Sequence, residues 1–177
     1  MTEYQFPGWR KIIFVAVLIV IIVISLAPAI SQGTVNVRVY GPPSDGLVSH
    51  VFVKFSQVEL HNAGFPTDSG WVTFTQVIPK VDLVSSPGQF VPQVLLTSRI
   101  QSGRYDTIKL TVANATIVVN SITSAPVSTG LVLNTDLTIP VPPNGSGDVL
   151  VVLTLDYRQL LDTPPALAVQ ILQATAA

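Results

Sequence analysis

Short stretches in which apolar and polar residues alternate make up most of the chain after residue 33. In "TVNVRVY", which begins at Thr34, every second residue is a valine, as expected for a β-strand with one buried face. The segment "VSHVFVKFSQVELH", from Val48 onward, alternates in the same way, but its apolar face shifts by one position near Ser56 and Gln57. Such a shift predicts a β-bulge at that point.

Further strands are predicted where apolar runs are separated by clusters of Gly, Pro, Asn or Ser. A strand begins at Trp71, and a short edge strand is predicted over Val81–Val84, because prolines bracket it. No other strand is predicted before Arg104, and Tyr157–Leu161 are long enough for one helical turn. The remaining predicted strands are "RYDTIKLTV", "ATIVVN", "LVLNTDLTI", "DVLVVLTLD" and "ALAVQILQA".

Eight or nine short strands with turn residues between them are typical of an all-β fold. We expect a single antiparallel β-sandwich of the Greek-key type, similar in architecture to immunoglobulin or transthyretin domains. Residues 31–177 are numerous enough to form one domain with a substantial core.

One uninterrupted apolar run precedes the strands. In residues 12–30 only Ser25 and Pro28 are not strongly apolar. As a helix this run would be about 28 Å long, which is close to the hydrocarbon thickness of a bilayer. Arg10 and Lys11 lie directly before it, so the positive-inside rule places the preceding residues in the cytoplasm. The sequence thus predicts a short cytoplasmic segment over 1–11, a single transmembrane anchor over 12–30 and an extracytoplasmic domain over 31–177, with a hinge at Gly33.

The end of the apolar run also has features of a cleavable leader. Ala27-Pro28-Ala29 and Ala29-Ile30-Ser31 both have the small-x-small form that signal peptidase recognises. Secretory signal cores are usually shorter, at about 7–15 apolar residues, so a retained anchor is favoured. Cleavage is the alternative, and it would give a mature chain that starts near Ile30 or Gln32.

Composition removes several classes of function. The chain has no cysteine, which excludes disulfides, thiolate metal sites and cysteine-ligated redox centres. Residues 31–177 carry seven basic and nine acidic side chains without a basic run, so no nucleic-acid partner is expected. Charged residues are 11% of the chain, against about a quarter in typical proteins. A surface of hydroxyl and amide groups does not titrate, which favours an acidic exterior such as that of an archaeal cell.

The motifs of the outer domain resemble one known family. They are the Val-rich strand that ends in "VELH", a Gly-Trp strand start, the "DL" pair in "VDLV", a Gly-x-Tyr before an "IKL" strand, and the later "LTLDYRQLL" and "ALAVQIL". Over residues 33–173 this pattern is similar to the domain of unknown function 4382, which occurs on secreted and anchored proteins of archaea and bacteria. The opening "RVYGPPSDG" departs from the longer, more acidic start of that family. The resemblance implies an exported domain without an established activity, and it transfers no functional residues.

The residue types needed for catalysis do not form a recognisable motif. His50 and His61 are the two histidines, and a straight strand would separate them by about 36 Å, too far for a shared metal ion. A G-x-S-x-G elbow is absent. Asp82, Asp106 and Asp156 offer carboxylate pairs for glycoside cleavage, but solvated strand ends and loops explain them better. The chain is therefore predicted not to be an enzyme and to bind no cofactor, metal or small-molecule ligand.

A few residues are assigned more specific roles. The Gly-x-Tyr at Tyr105 resembles the tyrosine corner of sandwich folds, so its hydroxyl is predicted to fasten a loop. Trp71 is predicted to lie in the core. Surface candidates are Phe65 and Phe90, apolar side chains at loop tips that are predicted partner contacts, and Asn114 and Asn144, which begin N-glycosylation sequons.

These features favour a non-catalytic accessory or structural subunit, anchored by one helix and docked on a larger membrane complex such as a respiratory or transport assembly. Its expected partners are integral membrane subunits and the lipid bilayer. The first alternative is a cell-surface filament or surface-layer subunit, joined by strand exchange after leader cleavage. The second alternative is a surface carbohydrate-binding module, which predicts aromatic side chains aligned on one exposed face.

Overall fold

The protein folds as two β-sheets that face each other and are preceded by a long helix, as seen in a computed structural model. The structure describes residues 8–44, 46–78, 80–84, 89, 91–119, 122–123, 127–128, 130–161 and 169–176. The elements are α1 (Gly8–Ile30), β1 (Gln32–Tyr40), β2 (Val48–Asn62), β3 (Trp71–Phe74), β4 (Val81–Asp82), β5 (Gln93–Gln101), β6 (Gly103–Val119), β7 (Ile122–Thr123), β8 (Val127–Ser128), β9 (Val132–Val141), β10 (Ser146–Leu155), α2 (Tyr157–Leu161) and β11 (Val169–Ala176).

The smaller sheet has the strand order β11-β10-β1-β5. The valines of β1 at positions 35, 37 and 39 are buried, which confirms the predicted inward face of this strand. One pair departs from the predicted antiparallel arrangement, because β1 and β10 run parallel, with Thr34 opposite Ser146. Between these two strands the chain crosses to the larger sheet, returns to the smaller one at β5 and crosses again at β6. It then enters β10 from the end at which β1 begins.

The larger sheet is built around the long pair β2 and β6. β3 and β4 pair with different parts of β2, while β9, β8 and β7 pair with successive parts of β6. The side chains between the two sheets form one apolar core, so the predicted β-sandwich is confirmed. The largest fully buried side chains are Tyr105, Phe55, Leu60, Leu83, Leu95, Ile108, Leu110, Ile117, Ile139 and Leu153.

The two ends of the sandwich are named here by their relation to α1. β1, β6 and β10 begin at the proximal end, next to the end of α1, and β2, β5 and β9 end there. The proximal end therefore carries the connections 63–70, 102 and 142–145. The distal end carries the start of β2 and helix α2.

The predicted bulge in β2 is confirmed. Phe55 lies opposite Val112 and Gln57 lies opposite Thr111, so Ser56 is the extra residue. The shift returns Val58 to the buried face of the strand.

Two predictions about strands are wrong. β5 was not expected, although it pairs with β1 along most of its length. "RYDTIKLTV" and "ATIVVN" are two parts of one strand, β6, because its neighbours on one side change from β9 to β8 and β7 while the strand continues. "ALAVQILQA" corresponds to β11, and its first three residues lie outside the described part of the chain.

The connection from α1 to the sandwich is short. α1 ends at Ile30 and β1 begins at Gln32, so one residue separates them. Gly33, predicted as a hinge, is instead buried inside β1. The described side chains of α1 at positions 12–22 are all exposed. Among the residues that the structure describes, no helix is both long enough and apolar enough to cross a membrane.

Candidate functional site

A second bulge places two neighbouring polar residues on the outer face of the larger sheet. Between Tyr105 and Thr107 the register of β6 shifts against β2: Thr107 lies opposite His61 and Tyr105 lies opposite Asn62, so Asp106 is the extra residue. Tyr105 and Ile108 both point into the core, although they are three positions apart. Asp106 and Thr107 consequently both face outward, where His61 of β2 lies opposite Thr107.

His61 and Asp106 form a close pair on this face. His61 Nδ1 lies 2.6 Å from Asp106 Oδ1, and Nε2 lies 3.0 Å from the carbonyl oxygen of Pro66. The His61 side chain is 3% exposed, whereas the Asp106 side chain is 42% exposed. The hydrogen bond to Asp106 is the main cause that raises the pKa of His61, with the Pro66 carbonyl adding to it. The same hydrogen bond lowers the pKa of Asp106, so the pair favours imidazolium and carboxylate.

This arrangement suits a structural clasp better than a general base. A histidine base needs one ring nitrogen free to accept a proton from a substrate or nucleophile. Here both nitrogens of His61 face acceptors, the carboxylate on one side and a backbone carbonyl on the other. The pair thus fastens the connection 63–70, which we call the proximal loop, to the sheet.

Other bonds fix the same loop. Trp71 donates its Nε1 hydrogen to the carbonyl oxygen of Thr67 at 3.0 Å. The backbone amide of Ala63 donates to the carbonyl oxygen of Arg104 at 2.8 Å. Gly70 has a φ of 76°, and a Cβ there would lie 2.4 Å from Cβ of Phe65, so this position requires glycine. The loop closes tightly, yet the Phe65 side chain remains 53% exposed.

Trp71 lies on the outer face rather than in the predicted core position. It pairs with His61 across the strands, with ring centroids 5.0 Å apart, and the Lys109 ammonium sits 3.5 Å from its ring centroid. The indole is partly buried by these two neighbours. Lys109 over the ring also gives a cation–π contact, which holds the patch together.

A similar group occupies the distal half of the same face. His50 Nδ1 lies 2.6 Å from Asp82 Oδ2, and the His50 ring stacks on Phe52 with centroids 5.3 Å apart. The Lys80 ammonium lies 3.9 Å from the centroid of the Phe52 ring. Each histidine thus forms a hydrogen bond with a different aspartate. Within the described residues no group of three or more His, Asp or Glu side chains is placed to hold a metal ion.

Comparison with known protein families shows which family this chain belongs to. The family described as Domain of unknown function (DUF4382) matches residues 32–160. The chain belongs to this family. The match begins with β1 and ends within α2, so the "ALAVQIL" segment lies beyond it. No curated protein and no solved structure matched the chain.

Tyr105 sits at the proximal end of the DUF4382 domain. Its side chain is fully buried, and its hydroxyl donates to the carbonyl oxygen of Gln101 at 2.7 Å. Burial raises the pKa of the Tyr105 phenol, so it stays a donor. A bond to the backbone four residues upstream has the form of a tyrosine corner.

The remaining candidate residues that the structure describes lie on different elements of the DUF4382 domain. Asn114 is half-buried within β6, between Lys54 of β2 and Ser128 of β8. Asn144 is exposed in the turn between β9 and β10, with a φ of 55°. Phe65 is in the proximal loop, and Phe90 lies outside the described residues.

Sequence reasoning missed the pairing of His61 with Asp106. It considered the two histidines as partners of each other and the aspartates as isolated strand-end charges. The available signal was the spacing of two apolar residues. Side chains three positions apart point to opposite faces of a regular strand, so Tyr105 and Ile108 can both be buried only if the strand contains a bulge between them.

Proposed function

We propose that the chain is a single-pass, membrane-anchored extracytoplasmic protein whose sandwich is a non-catalytic accessory subunit of a larger membrane complex. One observation carries the proposal: the side chains at positions 12–22 of α1 are all apolar and all exposed. A contiguous apolar surface of this kind indicates contact with lipid or with another protein. The apolar sequence continues to residue 30, and Arg10 with Lys11 favours a cytoplasmic start.

The state of the histidines supports a non-catalytic role. His61 is engaged at both ring nitrogens, and its Nε2 faces a backbone carbonyl where a catalytic base would face its substrate. The outer-face aromatic rings Phe52 and Trp71 each lie beneath a lysine ammonium, which covers the ring face that a sugar would stack on. The side chains of this face are thus engaged with one another, which favours a structural role over the binding of small molecules.

Insertion of α1 is tested by charge substitutions. Val17→Arg/Ile21→Arg places two charges in the middle of the apolar helix, each costing about 3 kcal/mol at a bilayer centre. We expect the wild-type chain to stay with the membrane after an alkaline carbonate wash and the double variant to be released. Val94→Arg, an exposed position on β5, is the matched control and should stay bound. Release of the wild-type chain would overturn the anchor.

The accessory role is tested by native extraction. The complex is solubilised from its own membranes in mild detergent, and the intact mass of this chain and the identity of co-migrating chains are measured. We expect residues 12–30 to be retained and integral membrane subunits to co-migrate. A full-length chain that migrates alone would contradict the accessory role while leaving the anchor intact.

The filament or surface-layer alternative has one observation in its favour. β11 lies at the edge of the four-stranded sheet, contains no proline or charged residue, and exposes 69% of Leu172. Edges of this kind invite pairing with another strand. A mature chain that starts near Ile30 or Gln32 and occurs in polymers would favour this alternative.

A further inference from the structure

The start of the sandwich is held against its own proximal loops. The carbonyl oxygen of Gln32 accepts from the amide of Asn144 at 2.8 Å, and the amide of Thr34 donates to Gly145 at 2.8 Å. The amide of Ser102 donates to the carbonyl oxygen of Ser31, the single residue between α1 and β1. Backbone groups on two connections thus fix the residues that follow α1.

Close packing removes the remaining freedom at this connection. A Cβ at Gly33 would lie 2.6 Å from the carbonyl oxygen of Pro142 and 2.6 Å from Cγ1 of Val141. β1 therefore enters the sandwich in direct contact with the turn after β9. Since one residue separates α1 from β1, the proximal end cannot move far from the end of the helix.

The surface of the proximal end has the chemistry of a membrane interface. Phe65 projects from the proximal loop with 53% of its side chain exposed. Arg99 is exposed on the smaller sheet and Arg104 on the larger one, both at this end. Asp68 is the acidic residue of the proximal loop. Aromatic and basic side chains together favour the headgroup region of a bilayer.

We infer that the proximal end of the sandwich rests on the lipid headgroups, with Phe65 in the interface and Arg99 and Arg104 beside lipid phosphates. The inference rests on the proposed function, because it requires that α1 crosses the bilayer. It adds an orientation: the proximal loop and the turn at Asn144 face the membrane, and α2 points away from it. The lipid-facing surface is then continuous with the anchor.

Single cysteines can test this orientation, because the native chain contains none. The full chain carries a nitroxide spin label at Val20 in α1, Thr67 in the proximal loop or Gln159 in α2. Each variant is reconstituted into vesicles of phosphatidylcholine and phosphatidylglycerol. Collision with oxygen, which concentrates in acyl chains, and with a water-soluble nickel chelate is then measured by power saturation.

We expect Val20 to collide mainly with oxygen and Gln159 mainly with nickel. At Thr67, nickel accessibility should be less than half of that at Gln159. If Val20 is in lipid but Thr67 is as accessible as Gln159, the orientation is wrong and the anchor stands. If Val20 is accessible to nickel, the proposed function itself fails.

The contributions of the side chains are tested in the Thr67-labelled chain. Phe65→Ser/Arg104→Gln should raise nickel accessibility at Thr67 toward the value at Gln159. Arg158→Gln, at an exposed basic residue of α2, is the matched control and should leave it unchanged. An unchanged Thr67 signal in the double variant would overturn the assignment of Phe65 and Arg104 as lipid contacts.

Discussion

The pair of His61 and Asp106 links the stability of the fold to pH. The raised pKa of His61 stabilises the folded state below the ordinary value of 6.5, and this contribution is lost as pH rises through the raised value. The lowered pKa of Asp106 stabilises it above the ordinary value of 3.8, and this is lost as pH falls through the lowered value. Both contributions are present together between about pH 4 and 6.5.

His61→Gln should therefore lower the urea midpoint of unfolding more at pH 5 than at pH 9. The variant cannot form the cation, so it loses the stabilisation that the wild-type pair has only at the lower pH. His50→Gln is the control, because the His50 side chain is 51% exposed and its contact with Asp82 should contribute less to stability. Equal losses for His61→Gln at both pH values would contradict the linkage.

Tyr105→Phe should destabilise the fold by about 1 kcal/mol, since it removes a hydrogen bond to the Gln101 carbonyl from a fully buried ring. Tyr157→Phe is a matched control, because the hydroxyl of the partly buried Tyr157 makes a bond of the same length, exposed to solvent, to the carbonyl oxygen of Pro43. Urea unfolding of both variants measures the difference. A loss in Tyr157→Phe as large as in Tyr105→Phe would show that burial is not the cause.

At the level of single residues, the sequence predicts a role for a side chain when that role depends on residues nearby in the chain. Tyr105 follows a glycine at a fixed distance, and in the structure its hydroxyl donates to the carbonyl oxygen of Gln101. The pairing of His61 with Asp106 joins residues 45 positions apart and depends on a bulge in β6 that breaks the alternation. A period-two pattern has no means of showing such a contact.

At the level of elements, alternation identified the strands that keep one apolar face. β5 was missed because Leu95 and Leu96 are consecutive and both buried. The register explains this, since Leu96 lies opposite Val37 and Val94 opposite Arg38, which leaves Leu95 as the extra residue of a bulge. The bulge in β2 was found because its flanking runs of apolar residues are longer.

Leu95→Ala tests the importance of β5 to the core. A fully buried leucine replaced by alanine typically costs about 2–5 kcal/mol, so we expect a loss in this range by urea unfolding. Val94→Ala, the exposed neighbour on the same strand, should cost much less. Similar losses in both variants would mean that β5 does not pack as described.

Gly33→Ala tests the contact between β1 and the turn after β9. The added methyl group would meet the Pro142 carbonyl at 2.6 Å, so we expect a destabilisation of about 1–3 kcal/mol from overpacking. In Gly64→Ala the nearest atom, Asn62 Oδ1, is 3.3 Å away, and the effect in urea unfolding should be small. A hinge at Gly33 would instead tolerate the alanine.

At the level of the whole molecule, the position of the two sequons gives a prediction about glycosylation. Asn144 donates its amide to Gln32, so in an anchored chain it lies beside the bilayer, where a glycosylating enzyme has little room. In native material from a glycosylating host, we expect mass spectrometry to find Asn144 unmodified in the membrane-bound chain. Modified Asn144 in that fraction would contradict the orientation, whereas modification in a chain that starts near Gln32 would not.

Because a single residue separates α1 from β1, a change in the tilt of the helix displaces the distal end of the sandwich. β1 has nine residues, which at about 3.3 Å each gives a length of about 30 Å from the proximal to the distal end. If α1 crosses a bilayer as proposed and its tilt changes by about 10°, a value within the usual range of membrane helices, the distal end moves by about 5 Å. A change in bilayer thickness that alters the tilt would then displace a partner bound near α2, without any rearrangement inside the sandwich.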